Sequence, residues 1–206
     1  RDVRALKVDE QSAVERRAAK GGSRDVIQKF SLVRSTSGLG WGFIQSLQSL
    51  YFFIRFGVGG EFLGPIYAAT RLLSVFSYAL VPTVVDRFGD ISAIVYSRLA
   101  SAVLTIAFAL TPSLPLSIVL LAVSRIFMMF TMPIRQSFAT GIVDPEETAT
   151  AIGVSSFARM GLRTIAPTVA GYMFESISLS MPFITGAALL AANGLLFRAF
   201  FQPKRE

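Results

Sequence analysis

The chain has 206 residues, 52% of them apolar and only 16% charged, with a formal net charge of +7 and neither Cys nor His. An ordinary soluble domain is roughly a quarter charged, so this composition suits lipid as the solvent. Without thiolate or imidazole there is no disulfide, no Cys or His metal ligand and no His-activated nucleophile, which removes most enzyme chemistries and leaves no cofactor to expect.

Nine of the twenty Lys and Arg precede residue 36, so the positive charge reads as a juxtamembrane flank and no nucleic-acid surface is expected. The chain opens on Arg1 with no signal-peptide core behind it, which points to an upstream segment that has been removed. Residues 1 to 23 are polar, with the linker-like Gly21-Gly22-Ser23. From Arg24 to Arg34, Val26, Ile27, Phe30 and Val33 share a helical face opposite Asp25, Gln28 and Lys29, a pattern that predicts a short amphipathic helix on the membrane surface. Residues 1 to 35 are thus a cytoplasmic linker and surface helix, 36 to 201 a transmembrane bundle and 202 to 206 a cytoplasmic tail.

About twenty helical residues cross a ~30 Å hydrocarbon core, and six such spans can be marked off. They run from about Ser37 to Phe56, Phe62 to Val85, Ile91 to Leu110, Leu116 to Ile134, Thr148 to Phe174 and Met181 to Phe201. The expected fold is all-α, a six-helix integral membrane bundle. Arg87, Arg135, Lys204, Arg205 and the basic tail collect on one side, whereas the other loops hold only Arg55, so both termini are expected in the cytoplasm of a multi-pass protein, with the plasma membrane as the expected compartment.

Polar groups held at membrane depth single out a site. Arg71 lies about ten residues into its span, or ~15 Å down, where a charge costs ~2.5 kcal/mol or more without a partner or a wet cavity. Tyr67, Ser74 and Tyr78 share its stripe. Arg159 and Arg163, four residues apart, stack on one face with Ser155, and Gln45 and Gln48 share a face with Trp41 and Phe52. Arg125 is followed on its face by Met128, Met129 and Met132, and Arg98 reads as a snorkelling or ion-paired structural residue. Two readings of the deep arginines stay open: structural partners on other helices, or capture of an anionic solute by the guanidinium fork. Gly38, Gly40 and Gly42 open a membrane helix with no strand before them, so close helix packing is their expected use.

The junction Pro82-Thr83-Val84-Val85-Asp86-Arg87-Phe88-Gly89-Asp90 resembles the loop signature of the major facilitator superfamily, with Pro82 in place of its leading Gly and Asp90 in place of its trailing Arg. Ala166-Pro167-Thr168-Val169-Ala170-Gly171 resembles the family's second-half Gly-Pro helix motif, and Arg125 stands where its fourth-span arginine motif recurs. The resemblance implies the C-terminal six-helix half of a twelve-helix transporter, with the N-terminal half absent from this chain, and a small solute moved between the halves by alternating access. It implies that the first, second, fourth and fifth spans line the cavity while the third and sixth face lipid. Asp86, Arg87, Gly89, Pro167 and Gly171 would then serve gating, and Gln45, Gln48, Tyr67, Arg71, Ser74, Arg125, Ser155, Arg159 and Arg163 would contact substrate. The competing expectation is a membrane scaffold or regulatory subunit that moves nothing.

Overall fold

A computed structural model describes residues 28–141 and 148–201, all built on helices joined by short turns. The basic tail, residues 24–27 of the expected surface helix, Asp144, Glu146, Glu147 and the C-terminal Lys204 and Arg205 lie outside the described residues.

The first span begins earlier than its hydropathy predicts. Helix α1 covers residues 28–46 without interruption, and after a break at Leu47 helix α2 continues over Gln48–Phe56. What reads in sequence as a separate surface helix is, from residue 28 onward, the first turns of α1, and its apolar residues Phe30 and Val33 are each only 3% exposed. They pack with Ala93, Ile94, Phe130 and Phe197, so the amphipathic face serves the bundle interior. Gly57, at φ 69°, ends α2 in a left-handed cap whose N–H returns to the Phe53 carbonyl.

Helix α3 spans Gly60–Ser77, and a 3-10 turn at Tyr78–Leu80 leads into α4, Val81–Phe88. Pro82 explains the interruption, since it has no N–H for the Tyr78 carbonyl four residues back and its ring crowds that carbonyl. Gly89 then turns the chain at φ 77° and ψ 158°, a conformation that disfavours any side chain. Helix α5 is Asp90–Leu110, α6 Leu114–Gly141, α7 Thr148–Ser176 and α8 Met181–Phe201. Pro133 does not end α6, which carries Arg135 with it as a helical residue instead of leaving it in a loop.

Four segments combine the length and hydropathy of a membrane span: Gly60–Phe88, Asp90–Leu110, Leu114–Gln136 and Met181–Phe201. The helices of the first and fifth spans are diluted by Gln45, Gln48 and Arg55 and by Arg159 and Arg163, respectively. Of the apolar windows, that of α5 is 56% buried and that of Gly60–Phe88 only 11%, so α5 is the centre of the bundle and the second span its edge. One face of α5 nonetheless stays out: Tyr96, Val103 and Leu110, seven residues apart, are exposed in a stripe suited to lipid.

The core divides along the bundle. One end, near residues 28 and 201, gathers Phe30, Ile94, Phe130 and Phe197, and the other gathers Tyr51, Phe52, Phe108 and Phe183 in mutual ring contact. At the second end Tyr51 Oη and Ser180 Oγ both donate to the Ala109 carbonyl, at 3.1 and 2.7 Å. Between α5 and α6, Ser124 Oγ lies 2.9 Å from both Ser101 Oγ and Thr105 Oγ1. Such hydrogen bonds average ~0.6 kcal/mol between membrane helices, so close packing must do much of the holding.

The alternating glycines supply that packing. A Cβ on Gly38 would collide with the Arg159 carbonyl of α7, one on Gly42 would stand 2.5 Å from Ala166 Cβ, and one on Gly40 3.0 Å from the Gly186 carbonyl of α8. Gly38 and Gly42 therefore seat α1 on α7 while Gly40 seats it on α8. The Gly42 contact also reaches the Arg163 carbonyl, which Pro167 leaves without its intrahelical donor.

Candidate functional site

A cavity of about 490 Å³ opens on one side of the bundle, lined from α1, α3, α6 and α7, by Tyr78 of the 3-10 turn and by Arg98 of α5. A second lobe of about 380 Å³ adjoins it, sharing Gln45, Arg71 and Arg125 and adding Gln48, Gly64 and Tyr67. The walls come mainly from the first, second, fourth and fifth spans, with Arg98 entering from the third.

Six arginines line the larger lobe: Arg71, Arg98, Arg125, Arg135, Arg159 and Arg163. Among the described residues the acids are Glu61, Asp86, Asp90 and Glu175, all at helix ends, and none lines either lobe. The guanidinium groups are held by neutral acceptors. Arg125 donates from Nη2 to Gln48 Oε1, and Arg163 donates from Nη2 to Gln45 Oε1 at 2.5 Å. Arg125 also lies 5.4 Å from the Trp41 ring centre and 5.5 Å from that of Tyr67, so two aromatic faces and an amide fix its direction.

Several buried donors beside this arrangement lack a hydrogen-bond partner among the described residues: Gln48 Nε2, Tyr67 Oη and Arg125 Nε around the smaller lobe, and Arg98 Nε and Arg159 Nε around the larger. Leaving a buried donor unsatisfied costs about 1–3 kcal/mol, more for a charged group. These donors find no acceptor among the described residues around either lobe.

The candidate residues sort into three groups. Gln45, Gln48, Tyr67, Arg71, Ser74, Arg125, Arg159 and Arg163 come together, Gln48 through its bond to Arg125 and Ser74 with its hydroxyl turned back to the Thr70 carbonyl at 2.7 Å. Ser155 stands apart from both lobes, accepting a 3.2 Å hydrogen bond from Arg34 Nη1 at the end of the bundle near residue 28. Asp86, Arg87 and Gly89 sit at the exposed α4–α5 junction, Arg87 lying 5.7 Å from the Phe88 ring centre, and Pro167 and Gly171 lie along α7 outside both lobes.

Arg98 corrects the sequence reading. It is 1% exposed, donates from Nη2 to Ser37 Oγ at 3.1 Å and contacts Met128 Sδ at 3.6 Å, so it points across to α1 and α6 and does not snorkel to an interface. Arg34 and Arg135 were missed because each was counted as flanking charge; the helical continuity past Ser35 and Pro133 is the signal that would have placed them inside the bundle.

Membrane-length helices arranged around a solute-sized polar cavity define a multi-pass membrane protein of the transporter class. The family model of the Major Facilitator Superfamily matches residues 30–206, and the chain belongs to this family of membrane transporters, as an all-α six-helix half. No curated protein and no solved structure matches it.

Proposed function

We propose that this chain is the cavity-forming half of a secondary active transporter that moves a small anionic solute by alternating access, rocking against a complementary six-helix half that supplies the opposite wall. The observation that carries this reading is the convergence of Arg71, Arg125 and Arg163 on lobes that hold unpartnered donors and no described acid. An anion there would receive forked, charge-assisted hydrogen bonds and relieve the mutual repulsion of the cations. A scaffold without a ligand has little reason to hold so much uncompensated charge at membrane depth.

In this reading Gln45 and Gln48 orient their arginines, Tyr67 and Arg71 close the second wall, and Arg159 extends the positive surface toward the chain ends. The end of the bundle near residues 28 and 201 faces the cytoplasm of a plasma-membrane protein, and the chain ahead of α1 leads in from that side. Asp86, Arg87 and Gly89, with Pro167 and Gly171, belong to the gating apparatus.

A thermal-shift screen of the full-length protein against organic anions, sugars and hydrophobic cations tests the substrate class, because ligands stabilise the state they bind. Anions should raise the melting temperature. Stabilisation by sugars or cations alone would overturn the anion reading while leaving transport itself in place.

A further inference from the structure

A second cluster of cations lies at the end of the bundle near residue 28, beside the central cavity. Arg34 of α1, Arg135 of α6 and Arg159 of α7 line a small cavity of about 50 Å³, closed on its apolar side by Phe30, Phe197 and Met132. Two of these arms are braced before any ligand arrives. Arg34 donates to Ser155 Oγ at 3.2 Å and lies 5.5 Å from the Phe30 ring centre, and Arg135 Nε donates to the Thr131 carbonyl at 3.2 Å. Arg159 Nε is buried with no hydrogen-bond partner among the described residues. Behind them, Arg98 is anchored on Ser37, which itself lines this cavity.

No acid among the described residues lines the cavity, so three guanidinium groups from three helices face one another with a fourth close behind. A single negative charge would offset little of that repulsion, and a spherical halide offers one acceptor to several forked donors. Size points the same way. The cavity of about 50 Å³ is small, which suits a compact anion better than an extended one.

We propose that Arg34, Arg135 and Arg159 form a second anion station, selective for a tetrahedral dianion of the phosphate or sulfate type, either free or as the head group of a larger solute or lipid. Ser37, Met132, Arg135 and Arg159 line both this cavity and the central one, so the two share a wall, and Arg34 belongs to this cavity without lining the central one. The station goes beyond the central site and is defined by equilibrium binding, so it can fail while central transport stands, or stand if the protein transports nothing.

The test is calorimetric titration of the full-length protein with sodium sulfate and sodium phosphate, against sodium chloride at matched ionic strength. Wild type should bind the tetrahedral anions and not chloride. Arg34→Gln and Arg135→Gln should each weaken that binding roughly tenfold to a hundredfold, the loss expected for a hydrogen bond to a charged group. Arg34→Lys and Arg135→Lys, which keep the charge, should retain part of it, and a ligand-free melting curve for each variant separates lost binding from lost folding. Arg125→Gln, which alters the central lobes and not this cavity, should keep the binding of tetrahedral anions that Arg34→Gln and Arg135→Gln weaken. Repeating the titration in nanodiscs of phosphatidylcholine, with and without phosphatidylglycerol, identifies the source: competition by the anionic lipid assigns the station to a head group, and indifference assigns it to a soluble ion. Absence of binding to wild type, equal binding in the folded Arg34 and Arg135 variants, or loss in Arg125→Gln alone would overturn the proposal.

Discussion

Arg163 of α7 donates from Nη2 to Gln45 Oε1 of α1 at 2.5 Å, a bond that fixes a cation on the cavity wall without neutralising it. An amide carbonyl accepts the hydrogen bond but carries no net charge, so the guanidinium keeps its field for whatever enters. Gln45→Leu should therefore leave Arg163 charged but untethered. Substrate affinity should fall by roughly tenfold, near the ~1.5 kcal/mol lower bound for a hydrogen bond to a charged group, with a smaller change in melting temperature. Binding isotherms on the variant check this, and unchanged affinity would make the amide an ordinary helix contact.

The arginines themselves separate a binding role from a structural one. Arg71→Gln, Arg159→Gln and Arg163→Gln should each weaken anion binding more than they destabilise the protein, measured as affinity beside unfolding temperature. Arg98→Gln should show the reverse, because Arg98 is buried and tied to Ser37 and Met128. Equal affinity in all three cavity variants would return them to packing.

Helix seating can be tested without ligand. Gly42→Val places side-chain atoms where a Cβ already meets Ala166 Cβ at 2.5 Å, and overpacking of that kind costs about 1–3 kcal/mol. Gly161→Ala, where an added Cβ meets nothing within 4 Å, should be neutral or slightly stabilising. Thermal unfolding in detergent compares them, and equal melting temperatures would remove the glycine contact as a determinant of stability.

These contrasts show how much was legible in the chain. The stripe Tyr67, Arg71 and Ser74 could be read from helical periodicity, because burying charge in lipid is costly enough to force one face toward water or protein. The packing role of Gly38, Gly40 and Gly42 followed from their position in a membrane helix, but the identity of the partner, α7 for Gly38 and Gly42 and α8 for Gly40, is a property of the assembled bundle. The snorkelling alternative for Arg98 failed for the same reason, while its structural role stands. Depth along its own helix says where a snorkelling side chain could go, and only tertiary structure brings Ser37 and Met128 to meet it. The 3-10 turn at Tyr78–Leu80 is accounted for by Pro82, whereas the break at Leu47 has no Pro or Gly to announce it and was not legible.

Asp86 is exposed at the end of α4, one residue before Arg87. As a latch to a helix N-terminus of the complementary half, it would contribute ~0.3–1 kcal/mol, and up to ~2 if partly buried. Asp86→Asn should then favour the inward-open state by up to about tenfold, for a loss of ~1.4 kcal/mol, with little change in affinity within one state. Labelling rates of cysteines introduced on the cytoplasmic rim report the opening. Equal rates in wild type and variant would leave Asp86 an ordinary junction acid.

The most direct test of the central claim is solute flux through the full-length protein in sealed liposomes, using the anion that stabilises it best in the thermal screen. Wild type should show saturable, counterflow-competent movement of that anion, and Arg125→Gln and Arg163→Gln, still folded and inserted, should reduce it at least about tenfold, the loss of one charge-assisted hydrogen bond. Flux that does not saturate, or that is equal in wild type and both variants, would contradict an arginine-lined cavity as the path of an anionic substrate.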